Sequence, residues 1–267
     1  MADSSRGRSG ASARPLRRHE VAERIKRYII DNRLRPGDPL PSEGELCEAL
    51  AASRSSVREA VKTLDALDIV EVRHGHGTFV GRLSMSALVE GLTFRGLLSP
   101  EDDFKVLEEL VDVREVLERG MAQRILDTLH ADHLTELDAL VDEMEAGLAA
   151  GREVITIDRR FHALLVEPLK NDLISQFSSA CWDVYGIVAP HLQVITKQDE
   201  IDTVNAHRAV VAAVRGSDAA AFDRAVEAHY RPARRRIAAA RERNAKAAAV
   251  AGAGSAPGAG PAPAARL

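Results

Sequence analysis

"SEGELCEALAASRSSVREAVKTLDALDIVEVRHGHGTFV", residues 42–80, decides the fold of the N-terminal part. Ser42 followed three residues later by Glu45 is a capping box, and it starts a short helix through about Leu50. "AAS" is a tight joint, after which Ser53 is placed to cap a longer helix, "RSSVREAVKTLDAL". Val57, Val61, Leu64 and Leu67 fall on one face of that helix. "IVEVR" and "GTFVG" alternate apolar and polar residues on either side of "HGHG", the pattern of a β-hairpin. Upstream, Val21, Ile25, Tyr28 and Ile29 recur at helical spacing between Arg17 and Asn32, and "RLRPGDPLP" breaks that helix. Helix, short helix, joint, helix, hairpin is the order of a winged helix-turn-helix.

The third helix carries Arg54, Arg58 and Lys62 at four-residue spacing, a basic stripe opposite the apolar one. Arginine can grip the major-groove edge of guanine with two hydrogen bonds. Ser55 and Ser56, at the helix start, can donate to phosphates, as can the backbone amides there. At the hairpin tip the glycines allow a sugar-phosphate backbone to come close, and His74 and His76 can reach a groove. A solvated basic face beside an ordinary turn is the plainer reading; the full five-element order favours reading of DNA. Asp65 and Asp68 look like solvated residues whose replacement does little.

The rest of the chain is helical text. Candidate helices are "SMSALVEGLTFRGLL", a long one over 99–129 opened by Ser99 and Pro100, and others at about 132–149, 152–168, 171–193, 200–215 and 218–245. Seven helices with short connections predict an all-α antiparallel bundle. The domain plan is a disordered tail over 1–14, a winged helix-turn-helix over 15–82, a helical domain over 83–245 and a disordered Ala/Gly/Pro tail over 246–267. The fold class is therefore mainly α.

Hydrophobic residues make up 45% of the chain and charged ones 28%, a globular composition, while aromatics are only 4%. Through Arg82 there are 15 Lys+Arg against 12 Asp+Glu; the remainder has 21 against 28. A basic first part and an acidic second part suggest that only the first meets a polyanion. No apolar run approaches the ~20 residues needed to cross a bilayer, and the N-terminus has no apolar signal region. Cys47 and Cys181 lie far apart in helix-like stretches, so a reducing cytoplasm is expected rather than a disulfide framework.

One stretch of the helical part is odd. "DRRFHALLVEPL", residues 158–169, carries Asp158 and His162 one turn apart, although Phe161, Leu164, Leu165 and Leu169 already fill an apolar stripe. Alone, the pair reads as an intrahelical hydrogen bond. His207, among Val204, Val210, Val211 and Val214, and His229, near Val226 and Ile237, change that. Buried imidazoles need partners, and three histidines with one carboxylate from three helices can converge on a metal in a bundle core. The donor set suits zinc first, with nickel, manganese or iron as alternatives. His130, His133 and His191 lie near helix ends and read as surface residues.

"PGDPLPSE", "SRSSVREA" and "HGHGTFV", in that order, resemble the N-terminal domain of the GntR family of bacterial transcription regulators. The resemblance implies DNA contacts from Arg54 and Arg58 and from the wing-tip pair His74 and Gly75. Gly44 departs from it, since many members carry an arginine there. "DVREVLERGMA", "DRRFH", "NAHRAVVAAV" and "RGSDAAAFDRAVEAHY" resemble the FCD ligand-binding domain of the family's FadR-like branch, over about 100–235. Seven helices favour that subgroup over the six-helix one. The resemblance implies a metal held by Asp158, His162, His207 and His229. It also implies a small organic-acid or sugar-acid effector gripped by Arg114 in "REVLE". A homodimer on a pseudo-palindromic double-stranded operator is expected, each recognition helix in one major-groove half-site. An acyl-CoA effector suits a polar metal centre poorly. Two other readings remain: a winged-helix protein with a purely structural metal, and a metal-dependent enzyme fused to a DNA-binding domain. Against the enzyme, the chain has no nucleophile motif such as G-x-S-x-G.

Overall fold

A computed structural model describes residues 13–98, 104–192 and 196–254. The chain forms two compact units divided between Leu88 and Val89.

In the first unit, α1 (Ala13–Asp31), α2 (Glu43–Leu50) and α3 (Arg54–Ala66) precede a hairpin of β1 (Val70–Arg73) and β2 (Gly77–Val80). Ser42 and Glu45 form the expected reciprocal cap at α2, and the Ser53 side chain accepts from the Ser56 amide at α3. The inner faces of the three helices meet at Ile25, Leu46, Val57, Ala60 and Leu64, and Val70 and Val80 close the core from the hairpin. Leu67 does not join that face. It is the α3 C-cap and is 46% exposed, because the helix ends at Ala66, one residue before the stripe would turn it inward.

The strands pair antiparallel, with Val70 opposite Val80 and Arg73 opposite Gly77. The proline-rich connector lies along the outer edge of β2: Leu40 donates to the Thr78 carbonyl at 2.8 Å, and Val80 to that of Asp38 at 2.8 Å. This gives the extended prolines a place, since each lacks an amide to donate. Gly81 is required where the hairpin leaves, because a Cβ there would lie 2.2 Å from the Asp68 carbonyl oxygen.

Asp65 and Asp68 are not idle solvated residues. The Asp65 carboxylate accepts from the Val72 amide at 3.0 Å, and that of Asp68 from the Ser84 amide at 2.9 Å. Asp65 thus ties the end of α3 to β1, and Asp68 ties the turn after α3 to the segment after β2. Burial raises the Asp68 pKa somewhat, but the hydrogen bonds at Ser84 and Arg82 outweigh it and hold the carboxyl below its usual value.

Among the described residues, the remainder is helical: α4 (Ser86–Leu98), α5 (Lys105–Gly120), α6 (Ala122–Thr128), α7 (Ala131–Ala149), α8 (Ile155–Val166), α9 (Asp172–Val188), α10 (Lys197–Arg215) and α11 (Ala219–Gly254). These are eight α-helices rather than seven. The stretch 99–129 is not one helix; α5 ends at Gly120, where glycine's backbone freedom weakens the helix, and α6 restarts after Met121. The expected cap at Ser99 and Pro100 falls outside the described residues. Helix α11 also runs beyond 245, because the Ala-rich segment 246–250 extends a helix already nucleated and packed.

Helices α10 and α11, joined by a short loop, pack along each other; α5 lies against α11, and α7 and α8 close the bundle. Leu107, Ile125, Leu137, Met144, Phe161 and Phe222 are among its fully buried side chains. Helix α8 buries Ile157, Phe161, His162, Leu165 and Val166, so the odd histidine lies on the packed stripe itself. Helices α10 and α11 likewise bury His207 and His229.

Candidate metal centre and nucleic-acid interface

On the first unit, Arg54, Ser55, Arg58 and Lys62 are exposed on α3, opposite its buried face, and Ser56 is half-buried. Arg58 makes an exposed 3.5 Å contact with Glu43 of α2, and Lys62 one of 3.2 Å with Glu59. Such pairs are worth little in water and are easily exchanged for phosphate or base partners. Ser55 and Ser56 share hydrogen bonds with the capping Ser53, at 3.0 and 2.9 Å. At the hairpin tip, Gly75 has φ +77°, a left-handed conformation that opens the turn between the exposed His74 and His76. The His76 ring turns back to the His74 carbonyl at 3.0 Å. The basic, hydroxyl and wing-tip positions expected to meet DNA thus stand on α3 and the hairpin of one small domain, outside its core.

In the second unit, Asp158, His162, His207 and His229 each present one ligand atom, and these atoms all lie within 4.8 Å of one another. His162 Nε2 is 3.0 Å from His229 Nε2 and 3.2 Å from Asp158 Oδ1, while His207 Nε2 is 2.9 Å from the same carboxylate oxygen. The outer ring nitrogens explain why. His207 Nδ1 faces the Thr203 carbonyl oxygen at 2.8 Å, and a carbonyl only accepts, so Nδ1 carries the proton. His162 Nδ1 lies 2.6 Å from Glu118 Oε1, an ion-pair contact that favours a proton on that nitrogen. Both rings therefore direct Nε2 lone pairs at a carboxylate. Lone pairs facing an anion inside a bundle require a cation between them, a proton or a metal. The four residues fit a divalent transition metal: the outer nitrogen of His207 is hydrogen-bonded and that of His162 lies against a carboxylate, as such ligands need, while His229 Nδ1 has no hydrogen-bond partner.

The electrostatics follow from the same contacts. Burial works against a charged His162, but the Glu118 and Asp158 carboxylates outweigh it and raise its pKa to about 9. Burial would raise the pKa of Asp158, yet His207 and His162 hold it well below the usual value. Burial and the neighbouring imidazoles both push His229 down, keeping it neutral.

Sequence reasoning missed Glu118. It is 5% exposed, accepts from the Tyr230 hydroxyl at 2.9 Å, and is kept ionised against the cost of burial by His162 and Arg114. The signal was present: Glu118 continues the α5 stripe of Leu107, Val111 and Arg114, so a carboxylate sits on an inward face.

Arg114 is also 5% exposed. Its guanidinium carbon lies 3.9 Å from the centre of the Trp182 ring, 5.3 Å from that of Tyr230 and 5.7 Å from that of Tyr185. Its Nη2 is buried with no hydrogen-bond partner. Arg114, Asp158 and His229 together line a cavity of about 360 Å³, a volume suited to a small molecule. Trp182 and Tyr185, also in its wall, carried no signal in the sequence.

Residues 17–80 match the family model described as bacterial regulatory proteins, gntR family, and residues 109–232 match that of the FCD domain. The protein named NedR of Micromonospora viridifaciens is 42% identical over 109 residues, 41% of this chain and 78% of that protein. The chain belongs to the GntR family of bacterial transcription regulators. The galactonate operon transcriptional repressor of Escherichia coli is 24% identical over 201 residues, 75% of this chain and 88% of that one. Among solved structures, the Streptococcus agalactiae GntR protein aligns at a TM-score of 0.60 and 27% identity, covering 82% of this chain and 99% of that one.

As a GntR regulator the chain is a DNA-binding transcription factor and not an enzyme. The gntR match spans the basic face of α3 and the hairpin, and the FCD match spans all four clustered donors with Arg114 and Glu118. Among the described residues, no helix is long and apolar enough to cross a membrane.

Proposed function

We propose that this GntR regulator is a metal-dependent sensor of a small carboxylate, acting as a repressor on a pseudo-palindromic operator in the cytoplasm. The observation that carries the reading is the convergence of three imidazole nitrogens and one carboxylate oxygen within 4.8 Å of one another, with Asp158 and His229 of that set lining a cavity beside the buried Arg114, whose Nη2 has no hydrogen-bond partner. Asp158, His162, His207 and His229 hold the ion, with zinc as first choice. The ion supplies positive charge and a coordination position for a carboxylate oxygen. Arg114 orients that acid by charge-assisted hydrogen bonds from the nitrogen that now has no partner. Galactonate, the sugar acid in the name of one relative, belongs to the chemical class proposed.

In the winged unit, Arg54 and Arg58 read base edges, and Ser55, Ser56, Lys62, His74 and Gly75 approach the phosphates and the adjoining groove. A homodimer places two such helices in half-sites one helical turn apart, so the symmetry of the operator mirrors that of the protein. An acid alters DNA affinity only through its different affinity for the two states of the regulator, a coupling of about 1–3 kcal/mol.

The test is fluorescence anisotropy of the zinc-loaded full chain on a DNA site selected from a random pool, titrated with organic and sugar acids. At least one acid should change DNA affinity by roughly 5- to 150-fold, and chelated protein should not respond. A flat response across the panel with metal retained would instead mark the metal as structural.

A further inference from the structure

The cavity holds a second cation whose place the carboxylate reading does not use. Arg236 lies on α11 seven residues after the proposed ligand His229, with Pro232 and Ala233 between them on the same cavity-lining face. Seven residues are about two turns, a rise of roughly 10 Å, and helical side chains lean toward the N-terminus. The Arg236 side chain therefore reaches back along the cavity toward the metal centre. It is fixed there by Tyr185: Arg236 Nη1 donates to the Tyr185 hydroxyl at 3.2 Å. The Arg236 Nε, by contrast, is buried with no hydrogen-bond partner.

Tyr185 thus stands between two guanidinium groups. Its ring centre lies 5.7 Å from the Arg114 guanidinium carbon and its hydroxyl accepts from Arg236. Each has one buried nitrogen with nothing to bond. A buried donor without an acceptor is costly, and two of them lining one cavity point to a ligand with an acceptor at each end.

Resting on the carboxylate-sensor reading, we propose that the effector is a dicarboxylate, one carboxylate at the metal and Arg114, the other on Arg236. Carboxylate suits the second position better than phosphate. The free Nε edge of a planar guanidinium matches a carboxylate fork. Glu153 and Glu200 also line the cavity, and they penalise a dianionic group more than a monoanionic one. Asp199, another carboxylate of that wall, is already held by Arg235 at 2.7 Å and by Thr196.

The experiment is calorimetric titration of the zinc-loaded full chain. The probes are diacids from malonate to adipate with tartrate and galactarate, each beside a monoacid of matched length. At least one diacid should bind ten-fold or more tightly than its monoacid partner. Arg236→Met should remove that preference and leave monoacid affinity and zinc content unchanged, while Arg236→Lys should keep part of it. Tyr185→Phe, which frees Arg236, should weaken the diacid less than Arg236→Met does. Equal binding of mono- and diacids, or a diacid preference that survives Arg236→Met, overturns the second anchor and leaves the carboxylate sensor standing. No binding by any acid overturns both.

Discussion

The two chemically distinctive regions of this regulator are built in opposite ways. The proposed DNA-reading face is local: two neighbouring elements place Arg54, Arg58, Lys62 and the wing tip outward, where they are exposed. The proposed metal centre is assembled from afar. Its donors come from α8, α10 and α11, with Glu118 from α5 behind them, and every one except Asp158 is buried. An exposed charge costs the fold almost nothing, so it can be chosen for its partner alone. A buried carboxylate or imidazole must be satisfied from all sides, so its function and the packing of the bundle are one problem.

The largest expected effect lies in the buried region. Metal at a thousand times its Kd should stabilise the helical unit by about 4 kcal/mol. Calorimetry with and without chelator should show that unit's transition move while the winged unit's stays in place. His207→Ala should give a chain without stoichiometric metal by elemental analysis, and full retention would remove His207 from the ligand set. Next comes Glu118→Gln, which keeps the shape but weakens the charge that orients the His162 ring. Metal affinity measured by competition with a chromophoric chelator should fall by roughly 10- to 100-fold. If it does not change, the buried carboxylate serves the fold alone.

On the exposed side the effects should fall on binding and spare the fold. Arg58→Ala should weaken operator binding by about 1–3 kcal/mol in a gel shift without lowering the melting temperature, since its 3.5 Å contact with Glu43 is exposed. A large drop in melting temperature with unchanged DNA affinity would reverse the contrast.

The smallest effect belongs to Asp68→Asn, about 1 kcal/mol after allowing for partial exposure. Its carboxyl titrates below the usual value in the fold, so its contribution is complete above the unfolded pKa and is lost as pH falls through the folded one. The stability gap between wild type and variant should therefore be present at neutral pH and close in acid, read from urea melts at each pH. A gap independent of pH would locate the effect in shape and not in charge.

The same contrast governs how much of each region is legible in the sequence. The winged domain is legible because its signals are short-range: a capping box at Ser42 and Glu45, a cap at Ser53, two alternating strands around a Gly-rich tip. The three histidines are legible as misfits on apolar faces. Glu118 is a misfit of the same kind, but a carboxylate in a charge-rich helix gives a weaker contrast than an imidazole among valines. The break at Met121 is hidden because apolar periodicity continues through it, and only Gly120 marks it. The roles of Asp65 and Asp68 depend on backbone amides that the hairpin brings near, and no spacing along the chain encodes that approach. Trp182 and Tyr185 gain their meaning from Arg114, which stacks among them across the bundle.

The most direct test of the metal-centre account is a crystal structure of the full chain purified without chelator, with anomalous data collected across transition-metal edges. The account predicts one anomalous peak per chain, bonded to the Nε2 atoms of His162, His207 and His229 and to Asp158. An ordered centre with no peak there, or with those side chains turned to separate partners, would contradict it.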